Sequence, residues 1–149
     1  LATFDAQAWA QAKAEAAAAG RDAAFRFHGS DRDAGAVAMS RANAARAGVA
    51  HLTDFRQAPV GDIRPPDGPP GLVIVNPPYG ARIGKPGQLR PLYAALGATL
   101  LARFPGWRVG LIAADPGLAR ATGLPFEPPG PPVPHGPLRI RLFQTATLP

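Results

Sequence analysis

Apolar residues recur along this chain with two periods. From Leu89 to Phe104 they fall at Leu89, Leu92, Tyr93, Leu96, Leu100 and Phe104, a spacing that gathers them on one face of a helix. Ala24-Phe25-Arg26-Phe27-His28-Gly29 alternates apolar and polar residues, which predicts a strand. Gly71-Leu72-Val73-Ile74-Val75 is a continuous aliphatic run, the pattern of a strand buried on both faces of a parallel sheet. Trp107 to Ala113 predicts another buried strand, and Leu52 to Gln57 predicts a short strand. Leu138 to Leu148 predicts the last strand, with Ile140, Leu142 and Phe143 directed at the core.

Between these runs the chain favours helices and loops. Residues 4–19 are Ala-rich and unbroken up to Gly20, and Ala has the strongest helix propensity. Ala34 to Ala47 predicts a second helix, with Asp33 as N-cap and Gly48 as the C-terminal signal backed by Val49. Asp115-Pro116 opens a short helix, Asp as cap and Pro at the first helical position. Two segments rich in Pro and Gly, 59–70 and 125–137, predict loops. Helices alternating with strands argue an α/β sandwich built on a mostly parallel sheet.

Composition narrows the class. A chain of 149 residues fits one domain with one core. At 46% hydrophobic and 17% charged residues it reads as globular. It holds no apolar run long enough to cross a bilayer, so no membrane partner is expected. Cys is absent, which excludes a disulfide framework and a thiolate metal site and makes the cytoplasm the expected compartment. His28, His51 and His135 lack metal-ligand spacing, so no metal is expected. The net charge of +6 suits a polyanionic partner, although the basic residues are dispersed.

One motif carries chemistry. Asn76-Pro77-Pro78-Tyr79 follows directly on the aliphatic run, and open parallel sheets bind ligands at the carboxyl ends of their strands. The Asn76 side-chain carbonyl and the Pro77 backbone carbonyl are two acceptors that can hold the two N–H groups of one amine. Two prolines restrict the backbone and aim the second carbonyl at low entropic cost. Tyr79 offers a flat face on which a base can stack, and Gly80 leaves room for close approach. A double proline can also simply end a strand.

The stretch Gly71-Leu-Val-Ile-Val-Asn-Pro-Pro-Tyr-Gly-Ala-Arg-Ile-Gly84 resembles motif IV of class I S-adenosylmethionine-dependent RNA methyltransferases that often carry a THUMP domain. The subgroup it is most similar to is the guanine-N2 methyltransferase family of large-subunit ribosomal RNA. Gly29-Ser30-Asp31-Arg32-Asp33 resembles the second-strand motif of that family, and Phe4-Asp5…Trp9 and Trp107…Ala114-Asp115-Pro116 also fit. The resemblance implies a Rossmann-like sandwich, S-adenosylmethionine as cofactor and RNA, most readily ribosomal RNA, as partner. It implies Asn76, Pro77, Pro78 and Tyr79 as the catalytic motif. Asp31 is expected at the cofactor's ribose hydroxyls, with Arg32 beside the adenine. Tyr79, Gly80, Arg82 and Lys85 are expected on the substrate side, the two cations contacting phosphate.

Two departures from the family pattern stand out. The family often places an Asp after its third strand; Phe55-Arg56-Gln57-Ala58-Pro59 has Pro59 there, and Asp62 is out of register, so adenine recognition stays unassigned. Nor does any Gly-x-Gly occur, although these enzymes open with a strand and a Gly-rich loop. Residues 1–149 are therefore expected to be the C-terminal part of a catalytic domain in a larger protein. The first strand, the Gly-rich loop and any THUMP domain would lie upstream. Alone, the stretch is expected to bind cofactor weakly and to be inactive. The four-residue motif also serves DNA adenine-N6 and protein glutamine methyltransferases, and a non-catalytic RNA-binding module could keep the same fold.

Overall fold

The computed structural model describes residues 4–20, 23–78 and 86–149. In chain order they form α1 (Ala6–Ala18), β1 (Phe27–Asp31), α2 (Ala34–Arg46), β2 (Thr53–Gln57), β3 (Leu72–Val75), α3 (Pro86–Arg103), β4 (Arg108–Ala113), α4 (Pro116–Ala121), β5 (Val133–His135) and β6 (Leu138–Gln144). Single 3-10 turns sit at Ala50–Leu52 and Val60–Asp62.

The helix ends form by ordinary capping. Asp5, Asp33 and Asp115 each accept from backbone N–H groups of the turn that follows, satisfying donors that a helix start leaves open. At the end of α2, Val49 N–H donates to the Ala44 carbonyl and Gly48 N–H to that of Ala45. Gly48 sits at φ 72°, so the α2 stop is a Schellman motif that needs glycine.

The strands form two sheets. β1 and β2 pair in parallel, Phe27 opposite Thr53 through Asp31 opposite Gln57. The second sheet has the order β3-β4-β6-β5. β3 and β4 are parallel, Leu72 opposite Arg108, whereas β6 runs antiparallel to both β4 and β5. The architecture is thus α/β with the expected parallel pairs, and the last hairpin makes the larger sheet mixed.

The core lies between α3, α4 and the inner face of the larger sheet. Leu89, Tyr93, Leu96, Leu100 and Phe104 are buried there with Val109, Leu111, Ala113, Leu118 and Phe143. The expected α3 stripe is therefore the core face, with Leu92 at its half-buried margin. Each fully buried large aliphatic side chain stabilises the fold by roughly 1.5–3 kcal/mol. α2 covers β1 and β2 with less, since only Val37 and Ala44 of that helix are buried.

The structure corrects four details of the sequence reading. β3 is not buried on both faces: Val73 and Val75 pack against the core, but Leu72 is 50% and Ile74 68% exposed, because α3 covers one face only. β5 lies inside the expected 125–137 loop. Its Pro134 is tolerated because β5 is an edge strand paired with β6 alone, where a missing donor costs little. On β6, Phe143 is buried and Leu142 is 45% exposed, since strand neighbours face opposite sides. Finally, β1 starts at Phe27 and reaches Asp31, rather than spanning 24–29.

α3 and α4 approach closely at Gly97, where an added Cβ would lie 1.7 Å from the Thr122 carbonyl oxygen. Backbone on both sides leaves no flexible group to yield. Gly97→Ala is expected to destabilise the protein by about 1–3 kcal/mol or more, read as a lower midpoint in urea unfolding. An unchanged midpoint would show that the two helices separate freely.

Candidate functional site

Two clusters of expected site residues sit at the carboxyl ends of strands, one in each sheet. The first is at the end of β1. Asp31 is its last residue, and its Oδ1 accepts from Asp33 N–H at 2.8 Å. Asp33 in turn accepts from Gly35 N–H at 2.6 Å and Ala36 N–H at 3.0 Å, capping α2. The two aspartates thus form a relay that fixes the strand-to-helix turn. Asp31 is exposed, and a carboxylate has about four lone-pair sites, so one N–H leaves most of its accepting capacity open. A hollow of about 150 Å³ lies beside it, lined by Gly29, Ser30, Asp31, Ala36, Val37, Ser40 and Phe55. The Arg32 carbonyl accepts from Gln57 Nε2 at 3.1 Å, which ties the turn to β2. The Arg32 side chain is exposed and makes no hydrogen bond among the described residues.

The second cluster is at the tip of β3. Asn76 is exposed, Pro77 is buried and Pro78 is half-buried. The sheet ladder ends at Val75 opposite Leu111, so the chain leaves the sheet where the prolines begin. Among the described residues the Asn76 amide has no hydrogen-bond partner, while the Pro78 carbonyl accepts from the Tyr93 hydroxyl at 3.2 Å. The tip thus presents a solvent-facing amide on a proline-stiffened backbone that is tied to the core. Tyr79, Gly80, Arg82 and Lys85 lie outside the described residues.

Pro59, which stands where an adenine-contacting Asp was expected, precedes the 3-10 turn Val60–Asp62. Asp62 in that turn is exposed. Arg103 at the end of α3 donates to the carbonyls of Gly61 and Ile63 at 2.8 and 3.1 Å. The segment after β2 is therefore anchored to the helix that also reaches Pro78, a connection that no motif in the sequence announces. Among the described residues no group of His, Asp and Glu could hold a metal ion, and no helix is long and apolar enough to cross a membrane.

An ion-pair cluster lies on the same two strands as Asp31. Asp54 accepts from Arg56 at 2.6 and 2.9 Å and lies 3.5 Å from His28 Nδ1, its register partner on β1.

The fold is an α/β sandwich of the Rossmann-like kind, with both clusters of candidate residues at the carboxyl ends of its strands. A protein from Clostridium difficile 630 described as a possible methylase superposes on 99% of this chain and 38% of its own, with a TM-score of 0.80 at 24% identity. The chain belongs to the family described as the RMKL-like methyltransferase domain, whose model matches residues 2–124. Among its relatives, the ribosomal RNA large subunit methyltransferase K/L of Chromohalobacter salexigens is 40% identical over 129 residues, 83% of this chain and 18% of that protein. The protein of the same name from Legionella pneumophila strain Corby is 36% identical over 135 residues, 91% of this chain and 19% of that protein. The chain thus spans about one fifth of the length of these relatives.

The Asp54 cluster gives a pH signature. The Arg56 hydrogen bond, followed by the charges of Arg56 and His28, outweighs desolvation and holds the Asp54 carboxyl below the usual carboxylate range. A depressed folded value contributes stability at pH above the unfolded carboxylate range, and that stability is lost as pH falls through the folded value. Arg56→Gln is expected to move the Asp54 titration back up, so that less stability is lost on acidification. Carboxyl-carbon NMR titration of the two proteins checks this, and identical Asp54 curves would refute the pairing.

Proposed function

We propose that this chain supplies the ribose-binding turn and the amine-gripping tip of an enzyme that transfers a methyl group from S-adenosylmethionine to an exocyclic amine of a base in RNA. The reading extends to N2 of guanine in ribosomal RNA as target and to the cytoplasm as location. The observation that carries it is the exposed Asn76 amide on a doubly proline-stiffened strand tip whose Pro77 is buried. Family membership and the shared name of the relatives support the substrate class. RNA bases must be splayed out of any stack to enter such a site.

The residues present fit part of the cofactor. The exposed Asp31 carboxylate, held by the Asp33 N–H and flanked by a small hollow, can accept hydrogen bonds from two vicinal ribose hydroxyls. Arg32 is free to lie beside the adenine. When bound, the cofactor supplies an electrophilic methyl carbon on a sulfonium.

At the tip, Asn76 Oδ1 and the Pro77 carbonyl accept from the two N–H groups of the target amine. This holds the nitrogen partly pyramidal, so that its lone pair is less delocalised into the ring and can face the methyl carbon. Positioning accounts for the rate; the methylated nitrogen is cationic and acidic and gives up its proton afterwards. Tyr79 stacks the base, and Arg82 and Lys85 contact the phosphates around it.

The reading also includes residues 1–149 as one part of a larger catalytic domain. Among the described residues β1 pairs only with β2, and β3 only with β4. Phe27, Leu72 and Ile74 on β1 and β3 are exposed large apolar residues. Open edges flanked by apolar side chains favour pairing with a further strand, as a preceding segment bearing the Gly-rich loop would provide. A THUMP domain upstream belongs to the same proposal.

In the full-length protein, Asn76→Ala is expected to cut methyl transfer by about a hundredfold or more while S-adenosylmethionine affinity stays within about twofold, because Asn76 grips the amine and not the cofactor. Asp31→Ala is expected to weaken that affinity roughly ten- to hundredfold, the worth of charge-assisted hydrogen bonds. Radiolabelled methyl transfer to ribosomal RNA, DNA and release factor, with calorimetry of cofactor binding, reads both. Undiminished transfer by Asn76→Ala, or transfer to DNA or release factor alone, would overturn the reading.

A further inference from the structure

Tyr93 is fully buried on α3, yet its hydroxyl reaches out of the core to the Pro78 carbonyl at 3.2 Å. A phenylalanine would serve core packing at this position. A buried tyrosine hydroxyl finds a polar partner, and here the partner belongs to the strand-tip motif. We propose that Tyr93 is a positioning residue for methyl transfer, setting the direction of the motif's backbone carbonyls. The proposal rests on the reading of Asn76-Pro77-Pro78 as the amine grip.

The constraint comes from the backbone of two successive prolines. Each pyrrolidine ring fixes φ near −65°, and peptide planes are rigid. The main soft torsion left to Pro78 is therefore ψ, which sets where its carbonyl lies relative to the preceding peptide plane. A hydrogen bond that holds the Pro78 carbonyl fixes that ψ. With φ of Pro78 already fixed, the plane containing the Pro77 carbonyl is fixed with it. One donor thus orients the acceptor required at the amine. The donor itself cannot drift, because Tyr93 is packed on the same helix face as the buried Leu89, Leu96 and Leu100.

The role predicts a rate effect without a cofactor effect. In the full-length protein, Tyr93→Phe keeps the ring and removes the hydroxyl. Single-turnover methyl transfer from tritiated S-adenosylmethionine to an unmodified large-subunit ribosomal RNA transcript is expected to fall about tenfold or more, as small displacements of reacting groups do. Cofactor Kd should stay within about twofold, and the loss should appear in kcat rather than in KM for RNA. Leu100→Val, on the same buried face but away from the carbonyl, controls for loosening of the core and should keep its transfer rate while folded. Thermal melts report the folded fraction of each variant.

Wild-type transfer by Tyr93→Phe, beside a dead Asn76→Ala, would overturn the positioning role and leave the amine grip standing. Equal losses in Tyr93→Phe and Leu100→Val would make the tyrosine merely structural and overturn it too. Full transfer by Asn76→Ala would remove the grip and this role together.

Discussion

Tyr93, Leu96 and Leu100 are buried to 2% exposure or less, and they press one face of α3 onto the inner side of β3 and β4. This contact fixes where β3 ends relative to the rest of the larger sheet. Val73 and Val75 meet the buried cluster from the sheet side, so β3 is held by alternate residues while its other face stays open. A strand held on one face takes its register from that packing and from its ladder to β4, where Val73 lies opposite Val109 and Val75 opposite Leu111. The position of Asn76 is therefore set by the packing of side chains before it and by the prolines after it, and needs no contact of its own. An amide left without a partner at such a point is available to a ligand.

The strand-tip site was legible because its signal is local. An aliphatic run followed by two prolines has to stop where it does, and the structure puts the end of the ladder at Val75. Asp31 was legible as the last residue of a strand, although the strand itself was placed too early. The alternation around Phe25 and Phe27 marks a segment whose aromatic rings meet each other at 5.4 Å and which leaves Phe27 exposed, so periodicity alone could not set its start. What the sequence hid depends on partners distant in the chain. β5 exists because β6 offers it hydrogen bonds, and Pro134 disguised it. Leu142 and Phe143 could not be told apart without knowing which face of β6 meets the core. The Tyr93 bond to Pro78 spans 15 residues, and in the sequence the tyrosine was indistinguishable from its apolar neighbours.

On the proposed function, one residue of the Asp31 turn serves structure and ligand together. A carboxylate that accepts from the N–H two residues on is a common way to close a turn, and on that ground Asp31 is an ordinary turn residue. The same bond orients the carboxylate and shares its charge with only one donor. Asp33 then caps α2 with its own side chain, which relieves Asp31 of that duty. The adjacent aspartates divide the work, and the one at the strand end remains exposed and able to accept.

α3 is the reference for both halves of the site. Near its middle Tyr93 donates to the strand-tip carbonyl, and at its end Arg103 donates to Gly61 and Ile63 in the segment that follows β2. The two residues are ten apart in the helix, a span of roughly 15 Å along its axis. A packed helix is stiff over that length, so the segment leading from the Asp31 sheet and the Asn76 tip are each hydrogen-bonded to the same rigid body. No ladder joins the two sheets among the described residues. On the proposed function, methyl transfer needs a cofactor group and an amine in a fixed line, which requires the two carboxyl-end clusters to share a frame. In this chain the helix provides it with one hydroxyl and one guanidinium, both directed at backbone carbonyls, so the frame depends little on the side chains of the loops it holds.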